Sequence, residues 1–564
     1  MTPFVRRASV RGTERLLARS VALLALAAYT ATLAGPPHPP AGEAVVQTAH
    51  SLLRGALALG GTPEAERLRS LVDTPAAEGV VLRGRGSRAD RVYAAGGVGE
   101  ALATVPFYAA GRLAGRVARA GAGGTQGRSH EWRSPAYWGH VFAGWRNPLW
   151  GALTAQLVVL VALRLGARSV HAWLAGMSYA FTTYAWPQAR SMLPDVQLGF
   201  LLLAALAGIL RVRERLERFE RPRRWVLGMV GAALGGALLT DPLALPAVLV
   251  LGVATRTVLV QGLGPRASRL PRGGPPLPLR TATLLALGPL LAALAVQMVA
   301  DGVRFGRPWA LGGAQLVGQS VPAALAGLFA SPGRGLVAMA PLVLLAPVGA
   351  RALRSGGDSL WPRSLVALAL ALLLRPLAFE PWHGGGTYGP SGLLPVLPLL
   401  WIAVALALPG KSAGAWRVRG TIALAVAGVL HTLPGVLVDT ATHHDLALQT
   451  ARRIEVGGEG PGAEGRARAA IQWRAGFAAP WAHWRILRHR VAVGDERFGV
   501  RELFAVDRDD QLTPGGGAPG FRHLAWVELV QARGGPAWPA GILVIGLLVA
   551  GGVFAVQGLA RASD

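Results

Sequence analysis

Three kinds of residue in this chain of 564 residues could do chemistry: carboxylates at the ends of apolar runs, arginines in the polar segments between runs, and one aromatic–glycine cluster. Glu43 lies in PPAGEAVVQTAHSLLRG (Pro39 to Gly55), at the start of a helix that follows the first apolar run. His50 stands seven residues on, on the same helical face. A carboxylate so placed can take the proton of an acceptor hydroxyl or amine as a general base. An acid in a first helical turn is also favoured by the helix dipole alone, and spacing by itself leans to that plainer role. In WPQARSMLPDVQLGF (Trp186 to Phe200), Arg190 and Asp195 flank a turn between two runs, with Pro187 and Pro194 breaking the helices. Such a pair at a membrane boundary can hold a phosphate-bearing ligand or a metal, or can be a solvated turn.

Arg304 and Arg307 in DGVRFGRPWALGG and Arg334 in SPGRGL add cations to one side of the chain. Ser331-Pro332-Gly333 precedes an apolar helix whose first amides can receive an anion, so these arginines suit a phosphate or simply lipid headgroups. In WHGGGTYGPSGLLPVLP, Trp382, His383 and Tyr388 surround Gly384 to Gly386. Glycines let backbone approach a ligand closely and aromatic faces suit sugar rings and isoprenyl chains, although aromatics also anchor membrane interfaces.

What must position these groups is a membrane. The chain is 52% hydrophobic and 15% charged, with mean hydropathy +0.39, whereas soluble domains carry about 25% charged residues. Apolar runs of about 20 residues recur, too long and uniform for barrel strands. The expected fold class is therefore an all-α polytopic membrane protein of about 12 transmembrane helices. The spans are expected near 16–34, 147–165, 168–187, 192–210, 225–240, 242–257, 281–299, 334–351, 363–379, 393–409, 419–437 and 539–558. Interfacial helices belong in a large first outer loop, and Val98 to Val117, interrupted by Glu100, Pro106, Arg112 and Arg116, suits that position.

The net charge of +27 is carried largely by arginines in short segments such as Arg211 to Arg224. That is the pattern of cytoplasmic loops, and no nucleic-acid motif accompanies it. Arg6, Arg7, Arg11 and Arg15 before the first run place the N-terminus inside, and the C-terminus follows. The absence of cysteine excludes disulfides, iron–sulfur clusters and thiolate zinc sites. The expected organisation is a transmembrane module over 1–437 with its first outer loop at 35–146, an extracytoplasmic segment at 438–537, and a final span with a short cytoplasmic tail at 538–564. Ionisable residues gather at the rim rather than deep within spans, which argues against a transporter.

Taken in order, the motifs resemble those of the GT-C superfamily of polytopic glycosyltransferases, which includes protein mannosyltransferases and aminoarabinose transferases, and more closely a bacterial branch of it. GEAVVQTAHSLL is similar to that branch's acidic helix, VPFYAAGRLAG to its juxtamembrane helix, and NPLWGALTAQLVVLVALRLGARS to its second span. RFGRPWALGG, GLFASPGRGL and WHGGGTYGPSGLLPVLP resemble its later loop motifs, with a weaker echo in AAPWAHWRIL.

The resemblance implies a transferase in a bacterial inner membrane, with its active face extracytoplasmic. It would move a sugar from a polyprenyl-phosphate donor to a lipid, glycan or protein acceptor with inversion. It assigns Glu43 and Asp195 as catalytic and Arg190, Arg304, Arg307, Arg334, Trp382, His383 and Tyr388 as the donor-binding set. Two positions depart from the pattern: Gly42 stands where an aspartate is common, and Ser391 replaces the signature arginine. A non-catalytic scaffold or lipid-binding subunit of an envelope complex is therefore the rival. No cofactor is assigned; a divalent metal near Glu43 or Asp195 is left open, while His443-His444-Asp445 suits a surface better than a ligand set.

Overall fold

The computed structural model describes residues 11–35, 40–72, 80–85, 88–121, 134–263, 277–311, 318–355, 359–379, 382, 387–410, 413–438, 440–455, 463–492, 498–499, 504, 511–512 and 538–563. In chain order the helices are α1 (Arg11–Ala31), α2 (Pro40–Leu52), α3 (Pro63–Leu71), α4 (Gly99–Gly121), α5 (Pro135–Gly144), α6 (Arg146–Arg164), α7 (Ser169–Phe181), α8 (Ala185–Ala189) and α9 (Pro194–Glu217). They continue as α10 (Arg224–Thr240), α11 (Leu245–Leu263), α12 (Leu279–Phe305), α13 (Val321–Ala330), α14 (Leu336–Met339), α15 (Ala346–Ser355), α16 (Leu360–Ala378) and α17 (Leu397–Ala407). The last are α18 (Ala415–Leu437), α19 (Thr440–Glu455), α20 (Ala463–Trp473), α21 (Ala479–Ala492) and α22 (Trp538–Ser563). Strands occur only as two small antiparallel pairs among the described residues, β1 (Val81–Arg83) with β2 (Val92–Ala94) and β3 (Phe498–Gly499) with β4 (Gln511–Leu512). Prolines open α2, α3, α5 and α9, where the missing N–H has no helical partner to lose.

Among the described residues, seven helical stretches are long and apolar enough to cross a membrane: Pro135–Arg164, Pro194–Glu217, Pro242–Leu263, Leu279–Phe305, Leu360–Ala378, Ala415–Leu437 and Ala540–Ala562. In the first of these the apolar part falls on α6, and α5 belongs to the preceding loop segment. The other expected spans are helical but shorter, charged or broken. α1 carries Glu14 and several arginines, α7 gives way to the short α8, and 334–351 is divided by the 3-10 turn Pro341–Leu345. The all-helical, multi-pass fold expected from the apolar runs is thus what forms. One apolar helix was not expected: α13 lies within the stretch taken as an outer loop, and α12 runs six residues further than the hydropathy of 281–299 suggests before Gly306 ends it in left-handed geometry (φ 70°).

Burial sorts the helices into layers. The apolar window of Pro194–Glu217 is 72% buried, that of Leu279–Phe305 22% and that of Ala540–Ala562 11%, so α9 is central while α12 and α22 turn most of their surface outward. Leu284, Leu291, Val296, Ile542, Ile545 and Val556 are exposed there, the arrangement expected of lipid-facing helices. α4 packs on α5 and leaves Leu102, Leu113 and Val117 exposed, in keeping with a helix lying in the interface. A separate small core of Leu446, Ala467, Ile471, Phe477, Ile486 and Phe504 unites α19, α20 and α21, and α21 leans on α18.

Small residues set the closest helix contacts. A Cβ at Gly349 would stand 1.8 Å from the Ala403 carbonyl oxygen, so α15 and α17 touch backbone to backbone. Gly349→Ala is expected to force them apart at a cost of about 1–3 kcal/mol, read as a lower unfolding midpoint in detergent. An unchanged midpoint would show that this contact is looser than it looks.

Candidate functional site

Glu43 sits in the first turn of α2, 7% exposed, with Val45 and Val46 beside it packed on Tyr108, Ala143 and Met192. Its polar partners follow a chain whose direction is fixed from the start of α3. Thr62 caps α3, its Oγ1 accepting the Ala65 N–H (3.0 Å) and donating to Gln47 Oε1 (2.7 Å). That fixes the Gln47 amide with its nitrogen toward Glu43, where Nε2 donates to Oε1 (2.7 Å). The same Oε1 lies 2.9 Å from His140 Nε2, and His140 Nδ1 is 2.8 Å from the Ala136 carbonyl. His50 does not face Glu43. It meets the Tyr108 hydroxyl (Nδ1 to O 3.3 Å), and burial, with the Arg112 and Arg54 charges, holds its ring below the usual imidazole range.

A second group holds the turn that bears Arg190 and Asp195. Arg146, fully buried at the head of α6, pairs with Glu100 (2.5 Å) and donates to Thr104 Oγ1 (2.8 Å) and the Glu100 carbonyl (3.0 Å). Burial pushes the Glu100 carboxyl up, against the pull of Arg146. Asn147 donates to the carbonyls of Ser191 (2.5 Å) and Leu193 (2.9 Å), so α6 clamps the turn from beneath. Asp195 pairs with Arg375, whose Nε also lies 2.8 Å from Asp241 Oδ2. Arg190 donates to the Val436 carbonyl at the end of α18.

The remaining expected residues form a different neighbourhood. Tyr388 is buried, its hydroxyl donating to the His431 carbonyl and its own carbonyl accepting from Gln188 Nε2 (2.6 Å). Arg334, also buried, donates to the Thr387 carbonyl (2.5 Å) and approaches His444 Nδ1 (3.4 Å). Trp382 rests against Gly327 of α13 and lies 6.2 Å from the Trp473 ring. Arg304 pairs with Asp301 (2.7 Å) and donates to the Ala94 and Gly96 carbonyls, whereas Arg307 is exposed. His383 lies outside the described residues. The turn around α8 thus joins Asp195 and Arg190 to Tyr388, with Glu43 on one side. Arg304 is tied instead to the β2 end and to Asp301 of α12, and Arg307 follows just after that helix.

His140, Arg146, Asp241 and Arg375 were not singled out from the sequence. Arg375 carried a signal, an arginine four residues from the end of an otherwise apolar run, since a charge there needs a partner. His140 carried none beyond being a histidine ahead of a span. Neither carboxylate is arranged for a metal. Glu43 turns Oε1 to nitrogen donors and Asp195 turns to a guanidinium, and among the described residues no three His, Asp or Glu side chains converge as a ligand set.

Fold and site together define a multi-pass helical membrane protein with buried, hydrogen-bonded ionisable groups where its helices end. Residues 130–300, which contain His140, Arg146 and Asp195, match the sequence profile of the family described as dolichyl-phosphate-mannose-protein mannosyltransferase. This bears out the GT-C resemblance read from the motifs. No curated protein sequence matches the chain. Among solved structures it is similar to ArnT from Cupriavidus metallidurans in the apo state (14% identity, TM-score 0.42, 96% of this chain and 76% of that one) and to the same protein bound to undecaprenyl phosphate (14%, 0.38, 98% and 77%). It is also similar to the oligosaccharyltransferase of Archaeoglobus fulgidus (12%, 0.39, 80% and 59%), so the chain spans about three-fifths of that protein's length.

Proposed function

We propose that the chain is an integral membrane glycosyltransferase that moves a sugar from a polyprenyl-phosphate donor to an acceptor on the extracytoplasmic side, with inversion, in a bacterial inner membrane. The observation that carries the reading is Glu43, a buried carboxylate held by Gln47 and His140 at the start of the helix after α1. In the proposed step Glu43 takes the acceptor's proton, the acceptor oxygen or nitrogen forms the bond to the anomeric carbon, and the bond to phosphate oxygen breaks. The electron pair leaves on the polyprenyl phosphate. That leaving group is already stable, so placement and charge carry most of the acceleration. Asp195, paired with Arg375, has the part of holding the second turn beside α2, since Met192 of that turn packs on Val45 and Val46. Arg190, Arg334, Trp382, His383 and Tyr388 remain the proposed donor rim, with Arg307 as an exposed cation and Arg304 bracing its loop.

The test is transfer by purified protein in lipid, supplied with undecaprenyl-phosphate-linked sugars and candidate acceptors. The expected product has the anomeric configuration opposite to that of the donor. Retention would overturn the direct displacement. One observation favours a second reading, a non-catalytic lipid-binding subunit: the Arg304 and Arg334 guanidiniums donate to backbone carbonyls rather than facing a common point. Binding of the carrier lipid with no transfer from any donor would select it.

A further inference from the structure

The hydrogen-bond chain through Glu43 leaves a proton unassigned. His140 Nδ1 faces the Ala136 carbonyl, which can only accept, so Nδ1 carries a hydrogen. Nε2 faces Glu43 Oε1 at 2.9 Å, and a carboxylate too can only accept. Two lone pairs do not meet at that distance, so a proton lies between Glu43 and His140. Gln47 supplies the alternative. Its nitrogen, fixed toward the pair by Thr62, gives one N–H to Glu43 and stands 3.4 Å from His140 Nε2. When the shared proton is absent, the second N–H of Gln47 can serve the imidazole, and Glu43 keeps the first.

We infer that His140 and Glu43 work as one base, reacting as carboxylate and neutral imidazole and then holding the acceptor's proton between Oε1 and Nε2. This rests on the transferase reading. It deepens it by naming a positioning residue and by setting the pH at which the enzyme runs. A lone carboxylate is a weak base at neutral pH, while a carboxylate whose proton is shared with imidazole is matched to it. The balance is plain: the acceptor loses one proton, the pair gains one, and the leaving phosphate takes the electrons of the broken bond. The pair releases its proton to solvent before the next turnover.

The other charged and titratable groups around His140 are few. Tyr108 of α4 lies edge-on at 6.0 Å, Arg112 of α4 packs near Gly139, Glu64 comes from α3, and His50 sits beyond Tyr108. Tyr108 is neutral, because burial pushes its phenol up. His50 is the other imidazole here, held below the usual imidazole range by burial and the Arg112 and Arg54 charges, and it can be followed separately.

The experiment has two arms. In the first, the 12 histidines are labelled at the imidazole nitrogens and titrated by NMR in the full-length protein, with His140 assigned by its loss in His140→Asn. Glu43→Gln should move the His140 midpoint down by one pH unit or more; a midpoint that does not move overturns the pairing. In the second, pH profiles of transfer are compared. The wild-type acidic limb should coincide with the His140 midpoint. His140→Asn should lower kcat about 10-fold or more, and its limb should fall by about two pH units, the gap between imidazole and carboxylate. A loss of kcat with the limb unmoved would make His140 merely structural and overturn the proposal. A coupled NMR titration in a protein that transfers nothing would leave the shared proton standing and remove the transferase reading beneath it.

Discussion

Glu43→Gln is expected to reduce sugar transfer by about 10²–10⁴-fold while leaving the protein folded and still able to bind the carrier lipid. The substitution keeps the shape of the side chain: a glutamine oxygen can still accept from Gln47, whose second N–H can serve the neutral His140 Nε2, so the link between α2, α3 and α5 survives. Only the capacity to take a proton is lost. The effect should therefore fall on kcat, with the KM for donor little changed, since no donor contact is assigned to this carboxylate. Glu43→Ala is a poorer test, because it strips Gln47 of its acceptor in a buried place and mixes stability into the result. The measurement is steady-state transfer with donor varied, alongside carrier-lipid binding to both proteins. A Glu43→Gln rate within twofold of wild type would sink the base assignment and move the chain toward the scaffold reading.

How much of this was legible in the sequence depends on whether the physics is local. Apolar runs announce themselves through composition, and positions such as Pro194 punctuate them, so spans and breaks could be read along the chain. Glu43 could be marked as a candidate for the same reason, as a lone acid at a helix start just after a span. Its partner could not. His140 lies 97 residues away, and nothing in PAYWGHVFAG distinguishes a histidine bonded to a carboxylate from one that lines a groove. The helical-face argument pointed instead to His50, which shares α2 with Glu43 but bonds to Tyr108. Arg304 illustrates the converse. As a cation against the charge trend it suggested an anion site, but Asp301 one turn earlier on α12 and two β2-side carbonyls engage it. The i,i+3 spacing of Asp301 and Arg304 was in the sequence and favours that pairing.

Arg375→Met is expected to destabilise the fold by about 3–5 kcal/mol, the cost of stranding buried charge by removal of its partner. Arg375 lies near the end of α16 and is 5% exposed; it meets Asp195 at the start of α9 and Asp241 at the α10–α11 junction. One guanidinium thus ties three places far apart in the chain. Without it two buried carboxylates face each other, with Glu100 close by. Asp241 cannot simply turn away, because its Oδ1 accepts the Leu243 N–H (2.9 Å) and starts the following helical turn. Such a network is not necessarily more stable than an apolar or neutral replacement. The triple variant Arg375→Met, Asp195→Asn, Asp241→Asn should accordingly recover much of what the single change loses, an interaction well outside additivity. Thermal unfolding followed by the fluorescence of the 17 tryptophans measures both. If the triple variant is less stable than the single one, the charges contribute more than mutual compensation. If Arg375→Met melts with wild type, the three elements are held by packing alone. The functional consequence separates the two roles given to the carboxylates: loosening the Asp195 turn should weaken donor binding, whereas the loss at Glu43 is a loss of chemistry.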